Sequence, residues 1–165
     1  MDIAALAKTA EPRVQLSTDS AGDIADKLCE WELAAPGKRI ARIVRGRKCA
    51  TLADFYNEFA AALQFPGTFG ENWDAFADCL QDGHRFPDKA AMAICITDAD
   101  KLLSGAPPTA FETFAEVLSA CLAEVNNPPK PGKPKPMSVV LQCNTTKATA
   151  VGKRWRATGM QLSEK

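Results

Sequence analysis

The stretch AAMAICIT, residues 90–97, is almost wholly apolar and is the clearest indication of fold class in the chain. Two similar runs are RIARIVR, residues 39–45, and MSVVLQC, residues 137–143. Continuous apolar runs of this length, separated by helical segments, are typical of strands that are covered on both faces of a parallel sheet. Because the run at residues 39–45 mixes Ile and Val with Arg, we expect it to lie near a sheet edge.

The segments between these runs show the periodicity of helices. Phe55, Phe59 and Leu63 recur at helical spacing, and residues 108–125 carry another apolar stripe. Two helices separate the first two strands and one separates the last two, which gives the order β-αα-β-α-β with right-handed crossovers. The sequence therefore predicts an α/β fold with a small three-stranded parallel sheet packed with helices. Residues 20–34 predict an added N-terminal helix.

The length of 165 residues supports one domain with additions at its ends. We expect a core domain at residues 36–165, preceded by an N-terminal extension at residues 1–35 that carries the added helix. The segment NNPPKPGKPKP, residues 126–136, has five prolines and three lysines, which predict a solvated loop. Residues 145–165 predict a basic C-terminal tail.

The charges of the chain cancel in total but are segregated along it. Lys and Arg number 20, as do Asp and Glu, so no net charge attracts nucleic acid or an anionic membrane. Residues 38–48 contain bases and no acid, whereas residues 51–82 contain acids and no base. Segregated charge of this kind can steer a charged partner onto one patch of the surface.

The cysteines and the N-terminus indicate the compartment. Six widely spaced cysteines without a CxxC pair, and a single histidine, predict buried thiols in a reducing compartment and no metal site. The first residues lack the basic start and the long apolar run of a signal peptide, and no later stretch reaches membrane-spanning length. We therefore expect a cytoplasmic protein without a cofactor.

The stretch TFGENWDAFADCLQD, residues 68–82, holds four carboxylates and no Lys or Arg. On a helical wheel of about 100° per residue, the carboxylates fall within a sector of roughly 80°, opposite an apolar side. The acidic residues are Glu71, Asp74, Asp78 and Asp82, and the apolar residues are Trp73, Phe76, Ala77 and Leu80. Like charges four residues apart destabilise a helix slightly. The acidic stripe is compatible with a solvated polar face and with a binding site for a basic partner.

The start of this helix has two candidate caps. Asn72 is a suitable N-cap because its side-chain oxygen can accept a backbone N–H of the first turn, and Gly70 permits a sharp entry. Thr68 and Glu71 form a competing capping box, which would place Gly70 inside the helix.

The longer stretch FPGTFGENWDAFADCLQD, residues 65–82, resembles the signature of the barstar family, the intracellular inhibitors of barnase-type ribonucleases. The likeness extends from about Ile40 to Cys143 in the order of elements and includes the aromatic-proline step Phe86-Pro87. In that family the acidic helix and the loop before it plug the nuclease active site, and carboxylates take the place of substrate phosphates. The resemblance implies a bacterial, immunity-type ribonuclease inhibitor that is not an enzyme.

The resemblance also implies a set of partner-binding residues. Asp78 matches the acid that reaches deepest into the nuclease, and Asp74 supports it from one turn earlier. Phe69, Gly70 and Asn72 match the loop that approaches the enzyme, and the first and last acids of the stripe mainly steer. The full set is Phe69, Gly70, Glu71, Asn72, Asp74, Ala77, Asp78 and Asp82. The implied partner is a basic extracellular-type ribonuclease or nuclease toxin, bound by a monomer in a 1:1 complex.

Three positions depart from the family pattern and support a second hypothesis. Thr68 and Ala77 stand where aromatic residues are expected. The acid expected on the later helix aligns near Ala120, with Glu116 or Glu124 as a substitute. The alternative is a barstar-fold interaction module that binds a different basic partner and does not inhibit a nuclease.

An enzyme built on paired carboxylates fits the residues less well. Catalytic carboxylates of this kind normally flank a cleft from different elements, whereas Asp74 and Asp78 share one helix. His84 is the only histidine, and it lies in a predicted surface loop. The sequence contains no glycine-rich loop of the kind that cradles phosphate.

Nucleic-acid binding would rest on two basic segments, GKRIARIVRGRK at residues 37–48 and GKRWR at residues 152–156. Trp155 among these bases is a candidate for stacking on a nucleotide. The first segment is also typical of an edge strand with outward-facing charges, and the second of a tail that folds back over the sheet or the acidic helix. We expect no direct contact with nucleic acid.

Overall fold

The computed structural model describes residues 1–3, Leu6 and residues 13–82, 90–128 and 134–164, without the side chains of Asp82 and Glu164. Within these ranges the strands are β1 (Val14–Ser17), β2 (Arg39–Arg45), β3 (Ala91–Thr97), β4 (Met137–Gln142) and β5 (Leu162–Glu164). The helices are α1 (Ala21–Leu33), α2 (Leu52–Leu63), α3 (Trp73–Asp82), α4 (Pro108–Asn126) and α5 (Thr145–Arg156). A short 3-10 turn, Gly46–Lys48, follows β2.

The described strands form one parallel sheet in the order β2-β3-β4-β1-β5. The predicted three-stranded sheet with an added helix and a tail is therefore wrong, because segments before and after the three predicted strands supply β1 and β5. β1 pairs with β4 on one side and with β5 on the other. The domain boundary expected at residue 35 stays a prediction, and β1, which precedes it, lies inside the sheet.

β1 and β5 are short and lack the continuous apolar runs of the other strands. In β1, Val14 and Leu16 alternate with Gln15 and Ser17, and all four side chains are buried. Gln15 is satisfied by the main chain of Asp2, because it accepts the Asp2 N–H at 2.9 Å and donates to the Asp2 carbonyl at 3.1 Å. A buried polar side chain is tolerated where it finds such partners.

The strands and helices predicted from periodicity are confirmed. β2 lies at the sheet edge, and β3 and β4 are buried along their whole length. Helices α1, α2 and α4 agree with the predicted segments to within about one residue at each end. The prediction of a tail is wrong for residues 145–156, because they form α5 and bury Val151 and Trp155.

Helices cover both faces of the sheet. On one face, α2, α3, α4 and α5 enclose an aromatic core. Its fully buried aromatic residues are Phe55, Phe59, Phe76, Phe114 and Trp155. On the other face, α1 and the first residues of the chain pack on small side chains of β3 such as Ala93 and Cys95. The aromatic face is the one that positions the acidic helix.

All six cysteines are free, and four of them are buried. Burial raises the pKa of the Cys49 and Cys95 thiols to about 12, which makes both thiols poor nucleophiles at neutral pH. Cys79 is half-buried and Cys29 is exposed, so the prediction of buried thiols is wrong for Cys29.

Candidate partner-binding surface

Asn72 caps the N-terminus of helix α3, as the sequence predicts. The N–H of Ala75 donates to Asn72 Oδ1 at 2.9 Å, and the N–H of Phe76 donates to the main-chain oxygen of Asn72 at 2.9 Å. Asn72 Nδ2 donates to the carbonyl of Gly70 at 3.1 Å, which ties the preceding loop to the helix. A Cβ at Gly70 would lie 3.0 Å from Asn72 Nδ2, so the missing side chain permits this close approach.

The competing capping box is wrong, because Glu71 lies outside the helix. Its φ of 47° is in the left-handed region, and α3 starts only at Trp73. The helical wheel therefore applies to Asp74 and Asp78 but not to Glu71, which is exposed on the loop. Asp82 is the last residue of α3, and its side chain lies outside the described part of the chain.

Aromatic packing fixes the apolar side of α3 against α2 and α4. Phe76 and Leu80 are buried, and the ring centroid of Phe76 lies 5.2 Å from that of Phe55. Trp73 is half-buried, and its ring lies 5.4 Å from Phe55 and stacks on Phe114 at 6.4 Å. Trp73 is thus part of the packing between helices, as predicted, and the helix cannot rotate without breaking these contacts.

Asp74 and Asp78 lie on the opposite side of α3 and are exposed. Among the residues that the structure describes, neither carboxylate has a hydrogen-bond or ion-pair partner. Glu58 on α2 shows the contrast, because it binds Arg45 at 2.7 Å. The repulsion between two acids one turn apart is therefore not offset within this part of the molecule.

Helix α4 brings a further carboxylate, Glu124, into contact with α3. Gln81 Nε2 donates to Glu124 Oε2 at 2.9 Å across the contact between α3 and α4. Cys121 lies in the same contact and donates through Sγ to the carbonyl of Ala77 at 3.9 Å. Burial, and to a lesser extent the charges of Glu124 and Asp78, raise the pKa of Cys121 to about 11. Both carboxylates therefore act on one thiol in the α3–α4 contact.

The two acids considered on the later helix lie in different surroundings. Ala120 is exposed and supplies no carboxylate. Glu116 lines a groove of about 610 Å³ between α4 and α5, together with Arg154. Glu124, which is bonded to Gln81 of α3, is thus the better placed substitute.

The loop before α3 is anchored by its own aromatic residue. The ring of Phe69 lies 5.7 Å from that of Tyr56 and 5.0 Å from that of Phe65. Thr68 is exposed, whereas Ala77, the other departure from the family pattern, packs against the aromatic core. Neither position therefore presents a large side chain to a partner.

Several predicted features lie outside the described residues. They are His84, the step Phe86-Pro87, and residues 129–133 of the proline-rich loop.

Side chains of both basic segments make contacts within the protein that the sequence does not predict. Trp155 is fully buried, and its ring contacts those of Phe111 at 5.2 Å and Phe114 at 5.8 Å. It cannot stack on a nucleotide without unfolding α5. In the first segment Arg39 lies over the ring of Trp31 at 5.3 Å.

Within the described residues, no group of three or more His, Cys, Asp and Glu is arranged to hold a metal ion. In the same part of the chain, no helix combines the length and the apolar character that crossing a membrane requires.

Several solved structures have a similar fold but are much longer. The ORC2 protein of Aeropyrum pernix in its ADP form is 12% identical over 97% of this chain and 43% of that chain, with a TM-score of 0.61. Drosophila ORC bound to AT-rich DNA and Cdc6 is 11% identical over 99% of this chain and 50% of that chain, with a TM-score of 0.55. Cdc6p from Pyrobaculum aerophilum is 17% identical over 93% of this chain and 38% of that chain, with a TM-score of 0.53. The chain spans half or less of the length of these proteins. The likeness concerns the fold alone, and it covers the flanking strands that the three-stranded prediction left out.

No curated protein sequence matches the chain. A family model described as Barstar (barnase inhibitor) matches residues 40–142. The match runs from β2 to β4 and contains the acidic helix α3, whereas β1, α1, α5 and β5 lie outside it. Because the matched stretch is more than half of the sequence, this protein belongs to the barstar family.

Proposed function

We propose that this protein binds a basic ribonuclease or nuclease toxin in a 1:1 complex and blocks its active site with α3 and the loop at residues 68–72. It acts as an inhibitor of the immunity type in the bacterial cytoplasm and not as an enzyme. The observation that carries the proposal is the pair of exposed carboxylates, Asp74 and Asp78, without a cation among the described residues. Membership of the barnase-inhibitor family supports it.

The chemistry of a ribonuclease site suits this pair. Such a site binds phosphates through Arg, Lys and His side chains, and carboxylates form charge-assisted hydrogen bonds with the same groups. An internal ion pair would compete with the partner's cations, so the lack of one at Asp74 and Asp78 favours binding. Charge complementarity also speeds association and selects basic partners.

The rigidity of α3 lowers the entropic cost of binding. Asn72 caps the helix, Trp73 and Phe76 pack its apolar side against Phe55 of α2, and Gln81 is hydrogen-bonded to Glu124 on α4. The backbone that carries the two carboxylates is thus ordered before the partner arrives. Little backbone entropy remains to be lost in the complex.

The test is a titration of the purified protein into a panel of small basic microbial ribonucleases, with RNA cleavage as the readout. We expect at least one enzyme to lose its activity at a stoichiometric ratio. Asp78→Ala should weaken inhibition strongly, whereas Glu30→Ala, which removes an exposed acid from α1 on the opposite face of the sheet, should not. If no enzyme in the panel is inhibited, the proposal is wrong.

A second function is supported by the two departures from the family pattern. Because Thr68 is short and Ala77 packs against the core, neither provides an aromatic contact for a partner. An interaction module for a different basic partner would bind through the same helix without loss of nuclease activity. Calorimetry with the same panel separates the two, since a module for a different partner should neither bind nor inhibit these ribonucleases. Retention of RNA on a filter at moderate salt would instead indicate direct nucleic-acid binding.

A further inference from the structure

The outer edge of β2 directs main-chain groups away from the sheet. In a parallel pair, alternate residues turn their N–H and C=O groups toward the neighbouring strand. The carbonyl of Lys38 accepts the N–H of Ala91 at 2.9 Å, so this residue and alternate residues after it face β3. The residues between them, Arg39, Ala41, Ile43 and Arg45, therefore face outward.

Side chains occupy both outward groups of Ala41. Its N–H donates to Glu32 Oε2 at 3.1 Å, and its carbonyl accepts from Arg42 Nη1 at 2.7 Å. Glu32 reaches the strand from the last turn of α1, which packs on the neighbouring face. A partner strand would have to displace Glu32 to pair here, whereas the carbonyl can accept a second hydrogen bond beside that of Arg42.

Side chains occupy both outward groups of Arg45 as well. Its N–H donates to Glu58 Oε1 at 3.0 Å, and its carbonyl accepts from Cys49 Sγ at 3.5 Å. Glu58 is only 9% exposed, and Arg45 Nε and Nη2 hold its two oxygens at 2.7 and 2.8 Å. This carboxylate is therefore fixed in place at the edge.

Ile43 lies between these two blocked positions and differs from both. Among the described residues, no side chain bonds its outward N–H or C=O, and its own side chain is 37% exposed. An edge strand with open main-chain groups and an exposed apolar residue is prone to pair with another strand. Only a single residue of β2 offers that combination.

We propose that β2 is a latent self-pairing edge, which Glu32 and Glu58 keep closed against β2 of a second copy of this chain. The two carboxylates lie symmetrically about Ile43, and symmetry is what a two-fold interface requires. In an antiparallel pair centred on Ile43, Ala41 would lie opposite Arg45 of the second copy. Pairing at those flanking positions needs the main-chain N–H groups that Glu32 and Glu58 already occupy, so pairing stops at the centre.

The test is the oligomeric state of the double variant Glu32→Ala with Glu58→Ala, measured by sedimentation across a range of concentrations. We expect a concentration-dependent species of twice the monomer mass. The matched control is Glu32→Gln with Glu58→Gln, which keeps an acceptor oxygen at each position and should stay monomeric. Adding Ile43→Pro to the alanine pair removes the central outward N–H without touching the bonds to β3, and should restore the monomer.

A double alanine variant that is folded by circular dichroism and stays monomeric overturns the proposal. So does a wild-type protein that already dimerises through this edge and is made monomeric by Ile43→Pro. If the double variant does not fold, Glu32→Ala alone keeps the Arg45–Glu58 pair and should dimerise more weakly. A folded, strictly monomeric Glu32→Ala then overturns the proposal. None of these outcomes depends on nuclease binding.

Discussion

Asp78→Lys should separate the stability of the protein from its binding. Asp78 is exposed, and Asp74 lies one helical turn before it on α3. The substitution removes a like-charge pair and places an acid four residues before a base, which is the favourable orientation on a helix. Because no contact of Asp78 with a cation is lost within the described residues, we expect the free protein to become more stable.

The size of the gain follows from three small terms. Removal of the repulsion and formation of the new pair contribute about 0.2–0.5 kcal/mol each, as measured for pairs on isolated helices. Lysine is also a better helix former than aspartate by a few tenths of a kcal/mol. The free energy of unfolding should therefore rise by about 1 kcal/mol, and by less at high salt, because the two charge terms are screened.

Binding should change in the opposite direction. Loss of one charge-assisted hydrogen bond costs about 2–3 kcal/mol, and lysine adds repulsion against a basic site, so the Kd should rise by at least about 100-fold. Glu30→Lys on α1 changes the net charge equally on the other face of the sheet and should leave the Kd within a few-fold.

Urea denaturation at low and high salt, together with calorimetry against the inhibited ribonuclease, measures both effects. An Asp78→Lys variant that is less stable than wild type would refute the reasoning, because it would reveal an internal role for this carboxylate. Equal loss of affinity in Glu30→Lys would assign the effect to net charge and not to α3.

Other predictions concern the elements that hold the site and the edge strand. Asn72→Ala should lower the free energy of unfolding by about 1 kcal/mol in urea denaturation, whereas Asn72→Asp should not, because an aspartate can also cap α3. Gly46→Ala should lower the melting temperature, since a Cβ there would lie 2.6 Å from the carbonyl of Thr97 and 2.5 Å from that of Asp98. The hydrogen bonds from Arg45 lower the pKa of Glu58 from its ordinary 4.5. The contribution of ionised Glu58 to the stability of the folded protein is therefore fully present above pH 4.5 and is lost as the pH falls through the lowered pKa of Glu58. Glu58→Gln should accordingly flatten the acid limb of a stability–pH profile measured in urea.

Periodicity predicted the elements that pack through continuous apolar surface. β3 and β4 are buried on both faces, and both appear in the sequence as unbroken apolar runs. β1 was missed because Gln15 and Ser17 are buried polar residues, whose partners only the tertiary structure supplies. α5 was missed for a related reason, since Val151 and Trp155 are its few buried apolar side chains and most of its other residues are polar or charged.

The acidic surface was predictable where it depends on helical spacing and not where it depends on loop conformation. Asp74 and Asp78 follow from the period of α3. The position of Glu71 does not follow from it, because Glu71 has a left-handed backbone conformation and precedes the helix. In the sequence, only the Asn72 cap indicates where α3 starts. The contact of Glu124 with Gln81 depends on how α4 packs on α3, and residue spacing within either helix does not predict that packing.

The strand β1, outside the family-matched segment, covers a sheet edge that this segment alone would leave exposed. That segment supplies β2, β3 and β4, and in isolation β4 would be an apolar edge strand. β1 closes this edge, because the N–H of Val139 donates to the carbonyl of Arg13 at 2.8 Å and the N–H of Cys143 donates to that of Ser17 at 3.2 Å. The opposite edge, β2, is instead closed by side chains, through Glu32 and Glu58. The apolar edge of β4 is thus covered by another strand and the charged edge of β2 by carboxylates, since an apolar strand needs burial whereas a solvated strand needs only its main-chain groups occupied.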